Sequence, residues 1–139
     1  MLRMNPNTFT MLPGRGLLGV GGGDAIEFLQ NLVSNDVEQV GADTSVYGLL
    51  LTAQGKFLHD FFIARLDERT LVLDCESDRL EDLERRLTLY RLRSDVTLTN
   101  FSDTYSVAAA FGDGALAALG LSTDPGNTVT IGDGIAMTD

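Results

Sequence analysis

An α+β domain, with helices packed on an antiparallel or mixed sheet, is the fold this sequence predicts, and three observations carry it. Strand-like stretches are joined by turns too short for parallel crossovers, as at Gln54-Gly55-Lys56 and Asp67-Glu68. Two segments set among those strands repeat their apolar residues at helical spacing. The 139 residues, 44% hydrophobic and 22% charged, are enough for one domain with a real core, and no repeat or low-complexity run divides them.

Taken in order, residues 1–14 are polar, hold Pro6 and Pro13 and show no period, which predicts a flexible arm ahead of a single domain over residues 15–139. Gly14-Arg15-Gly16-Leu17-Leu18-Gly19 has the glycine spacing of a dinucleotide-binding loop. It lacks the strand before and the helix after that such a loop needs, so it reads as a flexible lead-in to a short strand. Gly21-Gly22-Gly23 then launches a helix with Asp24 as N-cap and Glu27 at capping-box spacing. Ile26, Phe28, Leu29, Leu32 and Val33 form its apolar face, and Asn35-Asp36 ends it.

Leu49 to Ala64 reads as a hairpin around Gly55. On its second arm Phe57, His59, Phe61 and Ile63 share one face and Leu58, Asp60, Phe62 and Ala64 the other, so both faces are expected to be covered. An acid and the chain's only histidine thus sit where the pattern asks for hydrophobes. Arg69–Asp74 gives a third strand of the meander. A second helix runs from about Asp78 to Tyr90, with Leu80, Leu83 and Leu87 inward and the pairs Glu81/Arg85 and Asp82/Arg86 outward. Asp95–Thr99 and Tyr105–Phe111 alternate as strands, Gly112-Asp113-Gly114 opens a short helix through Leu119, and two short strands flank Gly132-Asp133.

Composition excludes several function classes. A net charge of -10 argues against a general nucleic-acid or anionic-membrane binder. Positive charge is nevertheless concentrated: Arg79, Arg85, Arg86, Arg91 and Arg93 are half of the 10 basic residues, and the last two lie beyond the helix that uses the others. No stretch suggests a membrane span or a secretion signal, and the lone Cys75 forms neither an internal disulfide nor a metal site by itself, so a cytoplasmic protein is expected. No metal cluster is predicted. His59 reads as a satisfied core or surface histidine, and Lys56 as a solvated turn tip.

Three separate segments, Gly23 to Val37, Leu51-Thr52-Ala53-Gln54-Gly55-Lys56 and Leu89-Tyr90-Arg91-Leu92-Arg93-Ser94-Asp95-Val96, resemble in order the amino-terminal half of the YgfZ-type folate-binding proteins, relatives of the glycine-cleavage T protein, an aminomethyltransferase. The resemblance implies a tetrahydrofolate-binding fold and an accessory role in the synthesis or repair of iron-sulfur clusters, with downstream effects on enzymes such as those that thiolate tRNA. Aminomethyl transfer and a non-catalytic half-module that needs a missing part stay open as alternatives, so enzymatic turnover is left undecided. By the same resemblance Asp60 matches a folate-contacting Asp of the T protein, His59 replaces the first Asp of that pair, and Asp74 stands where the T protein has an Asn near the folate. The implied site is Asp60 for the pterin with Asp74 beside it; Lys56 at the turn tip and Arg91 or Arg93 beyond the helix are, by their positive charge, the candidates for the anionic tail, and no catalytic residue is assigned. Implied partners are folate and iron-sulfur proteins, with neither nucleic acid nor membrane, and a homo-oligomer is compatible. The Lys-Gly-Cys-Tyr-x-Gly-Gln-Glu segment of the YgfZ proteins has no counterpart here, and the expectation is a shortened part of a longer family fold.

Overall fold

The computed structural model describes residues 8–139. Its centre is a five-stranded sheet in the order β3-β4-β5-β2-β6, formed by β2 (Arg15–Gly21), β3 (Val46–Leu51), β4 (Phe57–Arg65), β5 (Thr70–Glu76) and β6 (Thr97–Asn100). Every neighbouring pair in it is antiparallel, as the short turns require. The predicted α+β class is what forms.

Both longer helices pack on one face. α1 (Ala25–Gln30) contributes Phe28 and Leu29, and α2 (Leu80–Arg91) contributes Leu80, Leu83 and Leu87, to a core that takes Leu18 and Val20, Leu50, Phe61 and Ile63, and Leu71, Leu73 and Cys75 from the sheet. Burial holds the Cys75 thiol protonated, its pKa pushed up to about 11. Smaller units flank the sheet. β1 (Thr8–Met11) pairs with β7 (Ala108–Phe111), α3 (Ala115–Leu119) follows, and β8 (Thr128–Ile131) and β9 (Gly134–Met137) form a closing hairpin around Gly132.

Four local expectations are corrected. Residues 8–11, read as part of the arm, form a strand, while residues 1–7 with Pro6 lie outside the described residues. The glycine-rich lead-in is β2 itself, flanked on both sides; Gly16 lets Leu80 approach and Gly19 lies under the Phe101 ring, so these glycines serve packing rather than a phosphate. Asp24 stands at the N-cap position but makes no side-chain cap. Its carboxylate accepts from the Asp95 backbone N–H at 2.7 Å, the Asp95 carboxylate accepts from Gly23 N–H at 3.0 Å, and the two loops are stitched across Gly22, whose φ of 103° favours glycine. Arg85 pairs with Asp82, not with Glu81.

The hairpin forms as expected. Gly55, with φ of 84°, closes the turn, Thr52 N–H donates to the Lys56 carbonyl at 2.8 Å, and the Thr52 hydroxyl accepts from Lys56 N–H at 3.0 Å. Around Asp60 and Phe62 its second arm is covered on one side only, while Ala64 farther along the same face is buried. His59, Phe61 and Ile63 are buried under the helices, whereas Leu58, Asp60 and Phe62 are half-buried on the other face. Among the described residues no helix packs on that face, because both longer helices are spent on the first.

Candidate functional site

Register places the polar residues of the open face. Leu17, Asp74, Phe62 and Tyr47 lie in one row across β2, β5, β4 and β3, and the next row toward the start of β2 holds Arg15 and Asp60 at its two sides. Two diagonal polar pairs result. Tyr47 Oη donates to Asp60 Oδ2 at 2.6 Å, and Arg15 Nε donates to Asp74 Oδ1 at 2.9 Å while its Nη2 donates to the Asp74 carbonyl at 2.9 Å. Phe62 lies between them, its ring 5.2 Å from that of Tyr47 and tilted by 57°. The surface is therefore a shallow, part-aromatic bed edged by a carboxylate on one side and a guanidinium–carboxylate pair on the other.

Burial pushes the Asp74 carboxyl above the ordinary carboxylate range, against the pull of the Arg15 charge and its hydrogen bond. Asp60 is half-buried on the same face. Its hydrogen bond raises the Tyr47 phenol, because the neutral O–H is the donor the carboxylate needs. Asp60 Oδ1 has no hydrogen-bond partner among the described residues.

His59 faces the other way. It is 2% exposed, and its Nε2 bonds Asp82 Oδ2 at 2.7 Å, which puts the proton on Nε2 because the carboxylate accepts. Arg86 Nε donates to the same oxygen at 2.7 Å and Arg85 to Oδ1. Hydrogen bonds from Arg86, His59 and Arg85 hold the Asp82 carboxyl well below the usual range. The histidine is thus a satisfied core residue that ties β4 to α2.

Of the residues expected at the site, Asp60 and Asp74 come together. Lys56 is at the exposed hairpin tip, one residue before β4. Arg91 ends α2 on the helix-covered side, and Arg93 lies beside Asp24, beyond the far end of β2 from the Arg15–Asp60 row. The seven residues of β2 span roughly 20 Å at ~3.3 Å per residue, and the sheet intervenes, so neither arginine shares a surface with Asp60. Arg15 and Tyr47 were missed. Arg15 hid in the glycine-rich stretch, and its signal was strand alternation that puts it in phase with Leu17; Tyr47 sits two residues before Leu49 on the same arm face.

Among the described residues no group of acids, His and Cys could hold a metal, and no helix is long and apolar enough to cross a membrane.

Residues 15–128 match the family model described as the GCVT N-terminal domain, so the chain belongs to the GCVT N-terminal domain family, the aminomethyltransferase superfamily. It is 36% identical over 104 residues to an aminomethyltransferase of Exiguobacterium sibiricum, which covers 75% of this chain and 29% of that protein. It is 35% identical over 130 residues to the mitochondrial iron-sulfur cluster assembly factor IBA57 homolog of Mycosarcoma maydis, covering 82% and 32%. The crystal structure of the glycine cleavage system aminomethyltransferase T from Bartonella henselae superposes with a TM-score of 0.69 at 21% identity, over 84% of this chain and 32% of that one, and shares the fold. The chain thus spans about a third of the length of these relatives.

Proposed function

We propose that the open sheet face is one wall of a tetrahydrofolate site and that the protein is a folate-binding accessory factor of the YgfZ type for iron-sulfur cluster synthesis or repair. One observation carries the folate reading: Asp60 offers an unoccupied carboxylate oxygen on a face edged by Tyr47 and Phe62. A pterin is a flat ring whose edge carries adjacent N–H donors, and a carboxylate beside aromatic surface is the matching acceptor. Oδ2 keeps a second lone pair after the Tyr47 bond, so both oxygens can accept. Asp74 and Arg15 border the same bed, where Arg15 supplies positive charge toward an anionic tail and Lys56 a more distant one. Arg91 and Arg93 are left out of this site on the geometry above.

The accessory role draws on the relatives named as iron-sulfur cluster assembly factors, which include the human IBA57, 35% identical over 99 residues. It also draws on His59. The residue that replaces the first Asp of the T-protein pair is consumed by Asp82 in holding the fold, which removes one acid from the T-protein pattern. Effects on tRNA thiolation would follow through the client enzymes. The IBA57 relatives are mitochondrial by name, and the expected cytoplasmic setting is kept as part of the proposal.

Titrating tetrahydrofolate anaerobically against the wild type and Asp60→Ala tests the site. Saturable binding that weakens at least tenfold in the variant is expected, and equal affinity in both removes Asp60 from it. The second reading, aminomethyl transfer, is favoured by the Exiguobacterium relative and predicts methylene-tetrahydrofolate from an aminomethyl-loaded lipoyl carrier. The half-module reading is favoured by the one-third coverage and predicts folate binding only when the remaining part of the fold is added.

A further inference from the structure

The half of β4 that carries Asp60 is held differently from the rest of the strand. β5 pairs with β4 from Phe62 to Arg65, so among the described residues Phe57 to Phe61 have a ladder partner on the β3 side alone. That ladder is irregular. Leu51, next to the Gly55 turn, lies opposite Phe57, and the following pair is Leu50 with His59, which leaves Leu58 as one extra residue, a β-bulge. From there the pairing runs evenly, with Leu49 opposite Asp60 and Gly48 opposite Phe61.

The bulge decides which of two neighbours reaches the open bed. Continued evenly from Leu51 and Phe57, the ladder would set Leu49 opposite His59 and Gly48 opposite Asp60. Paired residues share a face of the sheet, and a slip by one residue reverses the faces. Leu50 and Gly48 belong to the packed face, where Leu50 is buried and Gly48 abuts the Val33 side chain. An even ladder would thus bury Asp60 there and turn His59 outward. With the bulge, His59 goes under the helices and Asp60 reaches Tyr47 Oη at 2.6 Å.

Two side chains from the start of α2 grip the bulge. Arg79 Nη2 donates to the Leu58 carbonyl at 2.7 Å and so supplies a partner to the residue the ladder skips. Asp82 Oδ2 bonds His59 Nε2 at 2.7 Å, with Arg85 and Arg86 holding that carboxylate. The helix itself gains little from Arg79. It stands at the α2 N-cap position, makes no side-chain cap there, and places a cation at the positive end of the helix dipole. Its side chain is exposed and has no carboxylate partner among the described residues. What the arginine does in this structure is hold the bulge.

We propose that Arg79 is a positioning residue for Asp60: by fixing the Leu58 bulge from the α2 side, it keeps the Asp60 carboxylate on the open bed and in reach of Tyr47. Its consequence for a ligand rests on the folate reading of that bed. The aim of the carboxylate does not, and Tyr47 reports it directly, because the hydrogen bond from its phenol to Asp60 raises that phenol above the ordinary range.

The test is an ultraviolet titration of the full chain, taken as the difference from the same chain carrying Tyr47→Phe, in the wild type, Arg79→Met and Arg79→Lys. Arg79→Met keeps an unbranched stem without a donor. It is expected to fold with the wild-type circular dichroism spectrum and to let the Tyr47 step fall toward the ordinary phenol range. Arg79→Lys, which keeps a donor for the carbonyl, is expected to hold the step high. Tetrahydrofolate affinity is expected to weaken by about tenfold in Arg79→Met, on the order of one hydrogen bond to a charged group. A step that stays high in Arg79→Met, one that falls as far in Arg79→Lys, or an Arg79→Met chain that does not fold would overturn the proposal. The folate reading fails separately: a wild type that binds no tetrahydrofolate, with the step still falling in Arg79→Met, supports the positioning role and removes the pterin. Equal tetrahydrofolate affinity in wild type and Arg79→Met, with the step high in both, removes the positioning role and keeps the pterin.

Discussion

Strand β4 carries His59 and Asp60 side by side, and the two faces of the sheet treat them in opposite ways. His59 points under the helices, where water is excluded, and its ring nitrogen is answered by Asp82, itself held by two arginines. Asp60 points to the face without a helix and is answered on one oxygen only. A buried polar group left unpaired costs about 1–3 kcal/mol, so the packed face can keep its histidine only inside a complete network. The open face is under no such demand. A group there is able to stay half-answered, and a half-answered carboxylate is what a ligand can complete.

The largest expected break in that symmetry comes from adjacent phenylalanines. Phe61 is fully buried on the packed face, and Phe61→Ala is expected to cost about 3–5 kcal/mol in urea denaturation. Phe62→Ala on the open face is expected to cost about 1 kcal/mol and to weaken tetrahydrofolate binding. Equal losses would mean that both faces are packed, as the alternation alone suggests.

Acid titration sharpens the contrast further. Asp82 has a depressed folded pKa, so its contribution is present above the ordinary carboxylate pKa near ~4 and is lost as pH falls through the lower folded value. Asp82→Asn is expected to remove that part of the acid-denaturation slope. Asp74 has the opposite sign. Its folded pKa is raised, so stability is lost as pH rises from ~4 through the folded value, and protonation on the way down restores it. Asp74→Asn is expected to flatten stability across that window, and an unchanged profile would mean that Arg15 compensates the burial in full.

Much of this was legible in the residues, and the part that was not has a physical cause. Helical spacing at Leu80, Leu83 and Leu87, the Gly55 turn and the Gly132 hairpin all form where local pattern puts them, since each depends on near neighbours. β2 was obscured because its glycines argue for mobility by composition, while their purpose is set by Leu80 and Phe101, far away in sequence. The alternation of β4 gave the two faces correctly but not their cover, because an apolar residue such as Phe62 looks the same under a helix and on an open bed. Asp60 and Asp74 were brought onto one face by the meander, a relation that register fixes. Arg91 and Arg93 were grouped with them only by charge, and charge carries no direction.

The smallest expected effect is the most specific to the open face. Tyr47→Phe removes a half-exposed hydroxyl and is expected to change stability by no more than ~0.5 kcal/mol. Its readout is spectroscopic. The hydrogen bond to Asp60 raises the Tyr47 phenol above its ordinary value, so the difference between the ultraviolet titrations of the wild type and Tyr47→Phe should show a step above the ordinary phenol range. In Asp60→Asn that step should fall toward the ordinary phenol range, because the amide has lost the charge that favoured the neutral O–H. Adding tetrahydrofolate to the wild type then separates two geometries. A ligand that takes the free Oδ1 leaves Tyr47 bonded and its step high. A ligand that displaces the phenol lowers the step, and Tyr47 becomes a placeholder that the pterin edge replaces.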